Sequence, residues 1–148
     1  MIKISLVDDH SVVRNGIRLI LDSKDEFEIL NEANDGLEIL ELLKTGEEPD
    51  IVLADINMPL MNGLELTTVL AQTHPEIKVI LLSMLGSTEY ISQAFQSGAR
   101  GYLVKNISCD ELVTALLHVS KGGRYVCEEL SLGMLDVISN QQVNFKAN

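Results

Sequence analysis

The feature that most constrains the fold of this sequence is a regular alternation of short apolar runs with longer segments of helical periodicity. Five apolar runs predict strands: 2–7, 27–30, 51–54, 79–82 and 102–104. Apolar residues with the spacing of an amphipathic helix occupy the segments 12–21, 37–43, 64–70, 90–95 and 112–119. Strictly alternating strands and helices form right-handed crossovers. The pattern therefore predicts a doubly wound α/β domain, with a parallel sheet covered by helices on both faces.

Capping residues indicate where the predicted helices begin and end. Serines stand at three expected N-cap positions: Ser11, Ser87 and Ser108. Glu111 follows the last of them at the spacing of a capping box. Glycines stand where three helices should stop: Gly46, Gly98 and Gly122.

The length of 148 residues fits one domain, and the strand–helix alternation ends near Gly122. We expect a folded domain over residues 1–121 and a linker or tail over 122–148. Within that tail, residues 130–138 are apolar enough to form a short helix. Packing of this helix on the core is favoured over contact with a partner.

Charge and composition exclude several classes of protein. The net charge of −11 repels the phosphate backbone of nucleic acids, so direct DNA binding by this chain is not expected. No apolar run is long enough to cross a bilayer and no signal-peptide pattern follows Met1, which predicts a cytoplasmic protein without a membrane partner. Cys109 and Cys127 lack metal or redox spacing and are expected to be reduced thiols. Each of the three histidines, His10, His74 and His118, is expected to be solvated or structural.

Polar residues follow four of the five predicted strands. Ligands of open α/β sheets bind beyond the carboxyl ends of the strands, where the strand order reverses. Strand 1 ends in Asp8 and Asp9, strand 3 in Asp55, strand 4 in Ser83 and strand 5 in Lys105. Taken singly, each has a structural explanation, as a helix cap, a turn residue or a solvated lysine. Strand 2 offers only Asn31-Glu32, as expected of an edge strand.

Taken together, these residues at the strand ends have a chemical interpretation that none of them has alone. Three converging carboxylates repel one another unless a cation neutralises them, and carboxylates without His or thiolate partners suit Mg²⁺ or Mn²⁺. A carboxylate beside such an ion can act as a nucleophile toward phosphorus. The ion, Lys105 and Ser83 then provide partners for the three nonbridging phosphoryl oxygens.

Competing functions lack their motifs. The segment after strand 1 contains neither a GxGxxG fingerprint nor a GxxxxGK[ST] loop, and GxSxG is absent from the chain. A Mg²⁺-dependent phosphatase with an aspartyl nucleophile is the closest rival. Phosphatases of the haloacid dehalogenase type carry a second Asp two residues after the nucleophile, where this chain has Asn57.

Five motifs resemble those of response-regulator receiver domains, in order and at the family's spacing. They are Val7-Asp8-Asp9, the run from Ala54 to Pro59, Gly63, Leu82-Ser83, and the run from Gly101 to Lys105. The match covers residues 1–121 and is most similar to the NarL/FixJ (LuxR-type) branch. This resemblance implies a flavodoxin-like sheet of five parallel strands in the order 2-1-3-4-5.

The resemblance also implies a role for each matching residue. Asp55 is implied as the phosphoacceptor, and Lys105 as the residue that bridges to the phosphoryl group. Asp8, Asp9 and Asp55, with the backbone carbonyl of Asn57, are implied as ligands of Mg²⁺. Ser83 and Tyr102 are implied as the switch pair, although Tyr102 could also be a plain strand residue with its hydroxyl in water. Asn106 replaces the usual proline after the lysine, which leaves the isomer of that peptide bond open.

The function implied is a two-component signalling protein, phosphorylated by a sensor histidine kinase or a small phosphodonor. It is not an enzyme beyond self-phosphorylation and slow self-dephosphorylation. Phosphorylation is expected to alter a protein–protein surface, either as a homodimer or toward a helix-turn-helix domain that regulates transcription. A stand-alone receiver acting by protein contact is the alternative, and the phosphatase is the less favoured one.

Overall fold

A computed structural model describes residues 1–84, 88–132 and 135, without the side chains of residues 88 and 89. Six parallel strands form one sheet in the order β2-β1-β3-β4-β5-β6. The strands are β1 Ile2–Val7, β2 Phe27–Ala33, β3 Ile51–Asp55, β4 Lys78–Ser83, β5 Gly101–Val104 and β6 Tyr125–Val126. The helices are α1 Ser11–Asp22, α2 Gly36–Thr45, α3 Gly63–Thr73, α4 Thr88–Gln96 and α5 Cys109–Ser120.

The core lies on both faces of the sheet, as expected when helices cover a parallel sheet on both sides. Every residue of β3 is buried, and only the first two residues of β1 are partly exposed. Apolar side chains of the helices complete the core, among them Leu21, Ile39, Leu66 and Leu116. The α/β class and the strand–helix order predicted from periodicity are confirmed.

The prediction of five strands is wrong, because residues 125–126 form a sixth. The backbone N–H of Tyr125 donates to the carbonyl of Arg100 at 2.9 Å, and that of Cys127 donates to the carbonyl of Tyr102 at 3.1 Å. Two residues are too few to show a period of two in the sequence. Their pairing partner β5 lies far back along the chain, so this strand exists only through tertiary contact.

The predicted caps have mixed outcomes. Ser108 accepts from the backbone N–H of Glu111 and caps α5 as predicted. Ser11 is wrong as a cap, because α1 begins at Ser11 itself and His10 occupies the N-cap position. Ser87 lies outside the described residues. Of the glycines, Gly46 is the C-cap of α2, while Gly98 and Gly122 adopt positive φ just beyond α4 and α5.

The first part of the predicted tail packs on the domain. Cys127 and Leu130 are buried members of the core cluster, and residues 128–132 are helical. The carboxylate of Glu111 holds this segment, since it accepts from the Tyr125 hydroxyl at 2.8 Å and from the backbone N–H of Glu128 at 2.7 Å. Residues 133, 134 and 136–138 of the predicted short helix lie outside the described part of the chain, and the domain boundary after residue 121 stays a prediction.

None of the helices within the described residues combines the length and the hydrophobicity that crossing a membrane requires.

Candidate functional site

The predicted site residues meet at the carboxyl ends of the central strands. Asp8 and Asp9 follow β1, Asp55 and Ser83 end β3 and β4, and Lys105 follows β5. The register of the parallel strands places these residues at the same level along the strand direction. Val7 lies opposite Ala54, Asp55 opposite Leu82, and Ser83 opposite Val104. β1 lies between β2 and β3, so the crevice stands at the reversal of strand order where ligands of such sheets bind.

Asp55 is the most deeply enclosed carboxylate of the site, with 1% of its surface exposed. One oxygen, Oδ2, accepts from Lys105 Nζ at 2.8 Å, and the other accepts from the backbone N–H of Asn57 at 3.1 Å. Burial raises the pKa of Asp55 above its usual value, and the hydrogen bond from Lys105 partly opposes that shift. Burial therefore disfavours the charged form of Asp55, and the hydrogen bond from Lys105 is the largest interaction that offsets this cost.

Asp8 is also buried, whereas Asp9 is exposed. Asp8 Oδ1 accepts from the backbone N–H of His10 at 2.8 Å. Its second oxygen, Oδ2, makes no hydrogen bond, although Lys105 Nζ lies 3.3 Å away as an ion-pair partner. A buried carboxylate oxygen without a hydrogen bond is an open ligand position for a cation.

The structure corrects the view of Lys105 as a solvated lysine at a strand end. Only 4% of its side chain is exposed, because the ammonium points between Asp8 and Asp55. Its backbone N–H donates to the carbonyl of Ser83 at 2.9 Å, which fixes the start of the loop between β5 and α5. The peptide bond to Asn106, left open by the sequence, is trans.

His10 is a site residue that the sequence analysis missed. Its Nδ1 atom lies 3.0 Å from Asp8 Oδ1, 3.2 Å from Asp9 Oδ1 and 3.0 Å from Lys105 Nζ. The residue had been expected to be solvated or structural. The signal that could have found it is its position directly after the Asp8-Asp9 pair, which places its backbone at the mouth of the crevice.

Arg14 was missed as well, and it acts on the site through the backbone. Its Nη1 atom donates to the carbonyl of Asp8 at 2.7 Å and to Asn34 Oδ1 at 2.9 Å. The guanidinium also pairs with Glu32 on β2. Arg14 thus ties the end of β1 to the edge strand and holds the Asp8-Asp9 segment in place.

Ser83 and Tyr102 form the wall of the site on the β4–β5 side, and both are buried. Burial raises the pKa of the Tyr102 hydroxyl, which makes no hydrogen bond with a described residue. The alternative in which this hydroxyl lies in water is wrong, since the exposed fraction of Tyr102 is 0%.

The donor set fits a hard divalent cation. Asp8, Asp9, His10 and Asp55 each offer one ligand atom, and these atoms lie within 4.8 Å of one another. Three of the four donors are carboxylates, and Asp8 Oδ2 has no hydrogen bond. Oxygen donors of this kind are those that Mg²⁺ and Mn²⁺ take in proteins.

The raised pKa of Asp55 predicts how the stability of the metal-free protein depends on pH. Because the native state binds this proton more tightly than the unfolded chain, stability rises as pH falls from neutrality through the raised pKa, and the gain levels off below the unfolded value. Asp55→Asn removes the buried charge. We expect this variant, in EDTA, to melt above the parent at about pH 7 and to show a flatter pH dependence. Parallel melting curves of the two proteins between about pH 7 and about pH 4 would contradict the assignment.

Comparison with known proteins agrees with this geometry. The family model of the response regulator receiver domain matches residues 4–117. The chain is 39% identical over 125 residues to the transcriptional regulatory protein DegU of Brevibacillus brevis, covering 84% of this chain and 52% of that one. It is also 39% identical over 136 residues to the transcriptional regulatory protein LnrK of Bacillus subtilis, covering 92% and 61%. The chain thus spans roughly half to two thirds of these relatives.

Solved structures show the same similarity. The signal receiver domain of the response regulator NarL from Mycobacterium tuberculosis superposes with a TM-score of 0.77 at 32% identity, covering 82% of this chain and 97% of that one. A two-component response regulator of the LuxR family from Aurantimonas sp. superposes with a TM-score of 0.86 at 28% identity, covering 93% and 97%.

Proposed function

This chain belongs to the response regulator receiver family, of the NarL (LuxR) type, and on that premise we propose that Asp55 accepts a phosphoryl group. One Asp55 oxygen attacks the phosphorus of the donor, the bond between phosphorus and the donor's leaving group breaks, and an acyl phosphate remains. The observation that carries this proposal is the buried Asp55 carboxylate, 2.8 Å from the buried Lys105 ammonium.

Each neighbour of Asp55 supports one requirement of phosphoryl transfer, which depends on positioning and charge neutralisation. Lys105 balances charge on Asp55 and on the transferred group. The backbone N–H of Asn57 holds Asp55 Oδ1 at 3.1 Å and so orients the carboxylate. Arg14 positions the Asp8-Asp9 segment through the carbonyl of Asp8.

Asp8, Asp9 and Asp55 are the proposed side-chain ligands of Mg²⁺ or Mn²⁺, with the backbone carbonyl of Asn57 as the fourth protein ligand. A divalent cation held by these residues would neutralise the phosphoryl oxygens and the clustered carboxylates. The His10 ring lies between the same carboxylates, and we propose that it turns away when the cation binds.

Ser83 and Tyr102 are the proposed switch. The Ser83 hydroxyl stands at the end of β4, where it can donate to a phosphoryl oxygen on Asp55. Tyr102 is packed beside it on β5, so movement of Ser83 leaves space that the ring can follow. Phosphorylation would then shift the population between two arrangements of the α4–β5–α5 face.

Labelling with acetyl phosphate tests the proposed chemistry. We expect one acid-labile phosphoryl group per chain in the presence of Mg²⁺ and none in EDTA, because the carboxylate cluster otherwise repels the donor. Intact-mass spectrometry measures the stoichiometry, and phosphate release measures turnover. Labelling that is unaffected by EDTA would refute the metal requirement. Rapid multiple turnover would favour the phosphatase alternative.

Asp9→Ala tests the metal ligands separately. Removing one of the clustered charges relieves repulsion, so the variant should be at least as thermostable as the parent without Mg²⁺. It should gain less on adding Mg²⁺, because stabilisation follows the affinity of the native state for its ligand. Thermal denaturation with and without Mg²⁺ measures both effects, with exposed Asp25→Ala as the control. Equal Mg²⁺-induced shifts for Asp9→Ala and the parent would remove Asp9 from the site.

The wider function follows from the relatives and is proposed with them. Because DegU and LnrK are transcriptional regulatory proteins longer than this chain, residues 1–121 would be the receiver that controls a helix-turn-helix domain, joined through 122–148. The protein would be cytoplasmic, a sensor histidine kinase would supply the phosphoryl group, and phosphorylation would favour a homodimer. The alternative is a stand-alone receiver acting by protein contact. The reading frame beyond Asn148 distinguishes the two.

A further inference from the structure

The positive charges of this acidic chain are unevenly distributed. Among the described residues, Lys3, Arg14, Arg18, Lys44 and Lys105 each pair with a carboxylate. Five others make no ion pair with a described carboxylate. Lys24 lies between α1 and β2, and the remaining four lie near the starts of β4, β5 and β6 in the chain. These four, the basic patch, are Lys78, Arg100, Lys121 and Arg124.

The pairing of β5 with β6 brings two of these charges side by side. Gly101 lies opposite Tyr125, so the preceding residues Arg100 and Arg124 are neighbours across the two strands. The N–H of Tyr125 donates to the carbonyl of Arg100 at 2.9 Å, which holds them in this register. The two side chains therefore start from adjacent backbone positions, and neither makes an ion pair with a described carboxylate.

Both arginines line one cavity of about 570 Å³. Ala71, Pro75 and Phe95 line it with accessible apolar surface, and Lys78 joins the arginines as a third cation. Lys78 Nζ donates to the carbonyl of Ser120 at 3.3 Å, which ties it to the end of α5. Glu76 is the one carboxylate among the lining residues. The volume lies within the range of small-molecule sites, and the lining combines apolar contact with excess positive charge.

We propose that this cavity binds an organic phosphate of nucleotide size. Guanidinium groups bind phosphate through two parallel hydrogen bonds, and two adjacent arginines can share one phosphate group. The apolar lining would take the ring or chain that carries the phosphate. The cavity opens at the amino end of β4, roughly 16 Å from Ser83 at its other end. It is thus separate from the site at Asp55.

Titration with AMP, followed by ¹H–¹⁵N NMR in EDTA, tests this proposal without involving the metal site. We expect saturable shifts at the amides of Arg100, Gly101 and Arg124, with half-saturation below about 1 mM. Arg100→Ser and Arg124→Ser should each weaken binding about tenfold or more. Lys24→Ser, which makes the same change of charge at an exposed lysine elsewhere, should leave binding unchanged. Asp55→Asn should bind AMP like the parent.

Arg124→Ser gives a second readout that needs no ligand. Because it removes one of the three like charges that line the cavity, and Arg124 makes no ion pair with a described carboxylate, the variant should melt no lower than the parent in buffer without phosphate. The proposal is overturned by shifts that do not saturate, by shifts confined to residues 8–10 and 105, or by equal binding of AMP to Arg100→Ser and Lys24→Ser. Saturable binding of an acidic peptide or of DNA to the basic patch, without binding of AMP, would replace it with a macromolecular surface.

Discussion

Asp55→Asn is expected to abolish phosphorylation by acetyl phosphate, because the amide of asparagine is not a nucleophile toward phosphorus at neutral pH. The fold should survive the change, since burial disfavours the charge that the substitution removes. Intact-mass spectrometry after incubation with Mg²⁺ and acetyl phosphate measures the loss. The control is Asp25→Asn, which removes an exposed carboxylate and should label like the parent.

The result separates Asp55 from its neighbours. Asp8 and Asp9 belong to the same cluster and carry the same functional group. Undiminished labelling of Asp55→Asn would move the nucleophile to one of them and would refute the proposed role. Labelling lost from both Asp55→Asn and Asp25→Asn would indicate damage to the preparation and not chemistry at Asp55.

Gly63→Ala is expected to cost about 3 kcal/mol of unfolding free energy, because a side chain at this position overpacks the backbone below the site. A Cβ atom at Gly63 would lie 2.5 Å from the carbonyl oxygen of Asp55 and 2.9 Å from Cα of Ile56. Neither backbone atom can move without shifting Asp55. We therefore expect urea denaturation to show a large loss of stability, with slower phosphorylation of the protein that remains folded.

Gly16→Ala is the matched control for that substitution. A Cβ atom at Gly16 would have no atom within 4 Å, and the residue lies within α1. Alanine favours a helix interior over glycine by roughly 0.5 to 1 kcal/mol, so this variant should be more stable than the parent. Equal changes in stability for the two variants would show that the close backbone atoms of Asp55 and Ile56 are not the reason why glycine is needed at position 63.

The buried charges of the site weaken the fold in the absence of the cation. Asp8 and Asp55 lie under one ammonium group, and a carboxylate oxygen of Asp8 makes no hydrogen bond. Removing one partner of a buried ion pair leaves an uncompensated charge, which is more costly than the pair itself. For this reason Lys105 contributes to the stability of the metal-free protein as well as to the proposed chemistry.

Much of the fold follows from the sequence, because its periodicities are long and repeated. Alternating strands and helices permit few topologies, and parallel strands place their carboxyl ends at one edge of the sheet. That single consequence predicts that Asp8, Asp55, Ser83 and Lys105 lie close together. β1 has the predicted bounds, and the other four predicted strands extend by one to three residues.

Contacts between distant segments decided the rest. β6 exists because residues 125–126 meet the open edge of β5, and two residues carry no periodic signal of their own. Lys105 is buried because two carboxylates from other strands surround it, whereas a lysine at a strand end is ordinarily solvated. His10 and Arg14 belong to the site because the fold places the His10 ring beside Asp8 and Lys105, and the Arg14 guanidinium on the carbonyl of Asp8. The sequence by itself determined the order of the elements and the chemistry at the strand ends, since both depend on local pattern. Only the tertiary structure decided burial, charge pairing and the sheet edge, since these depend on which distant residues meet.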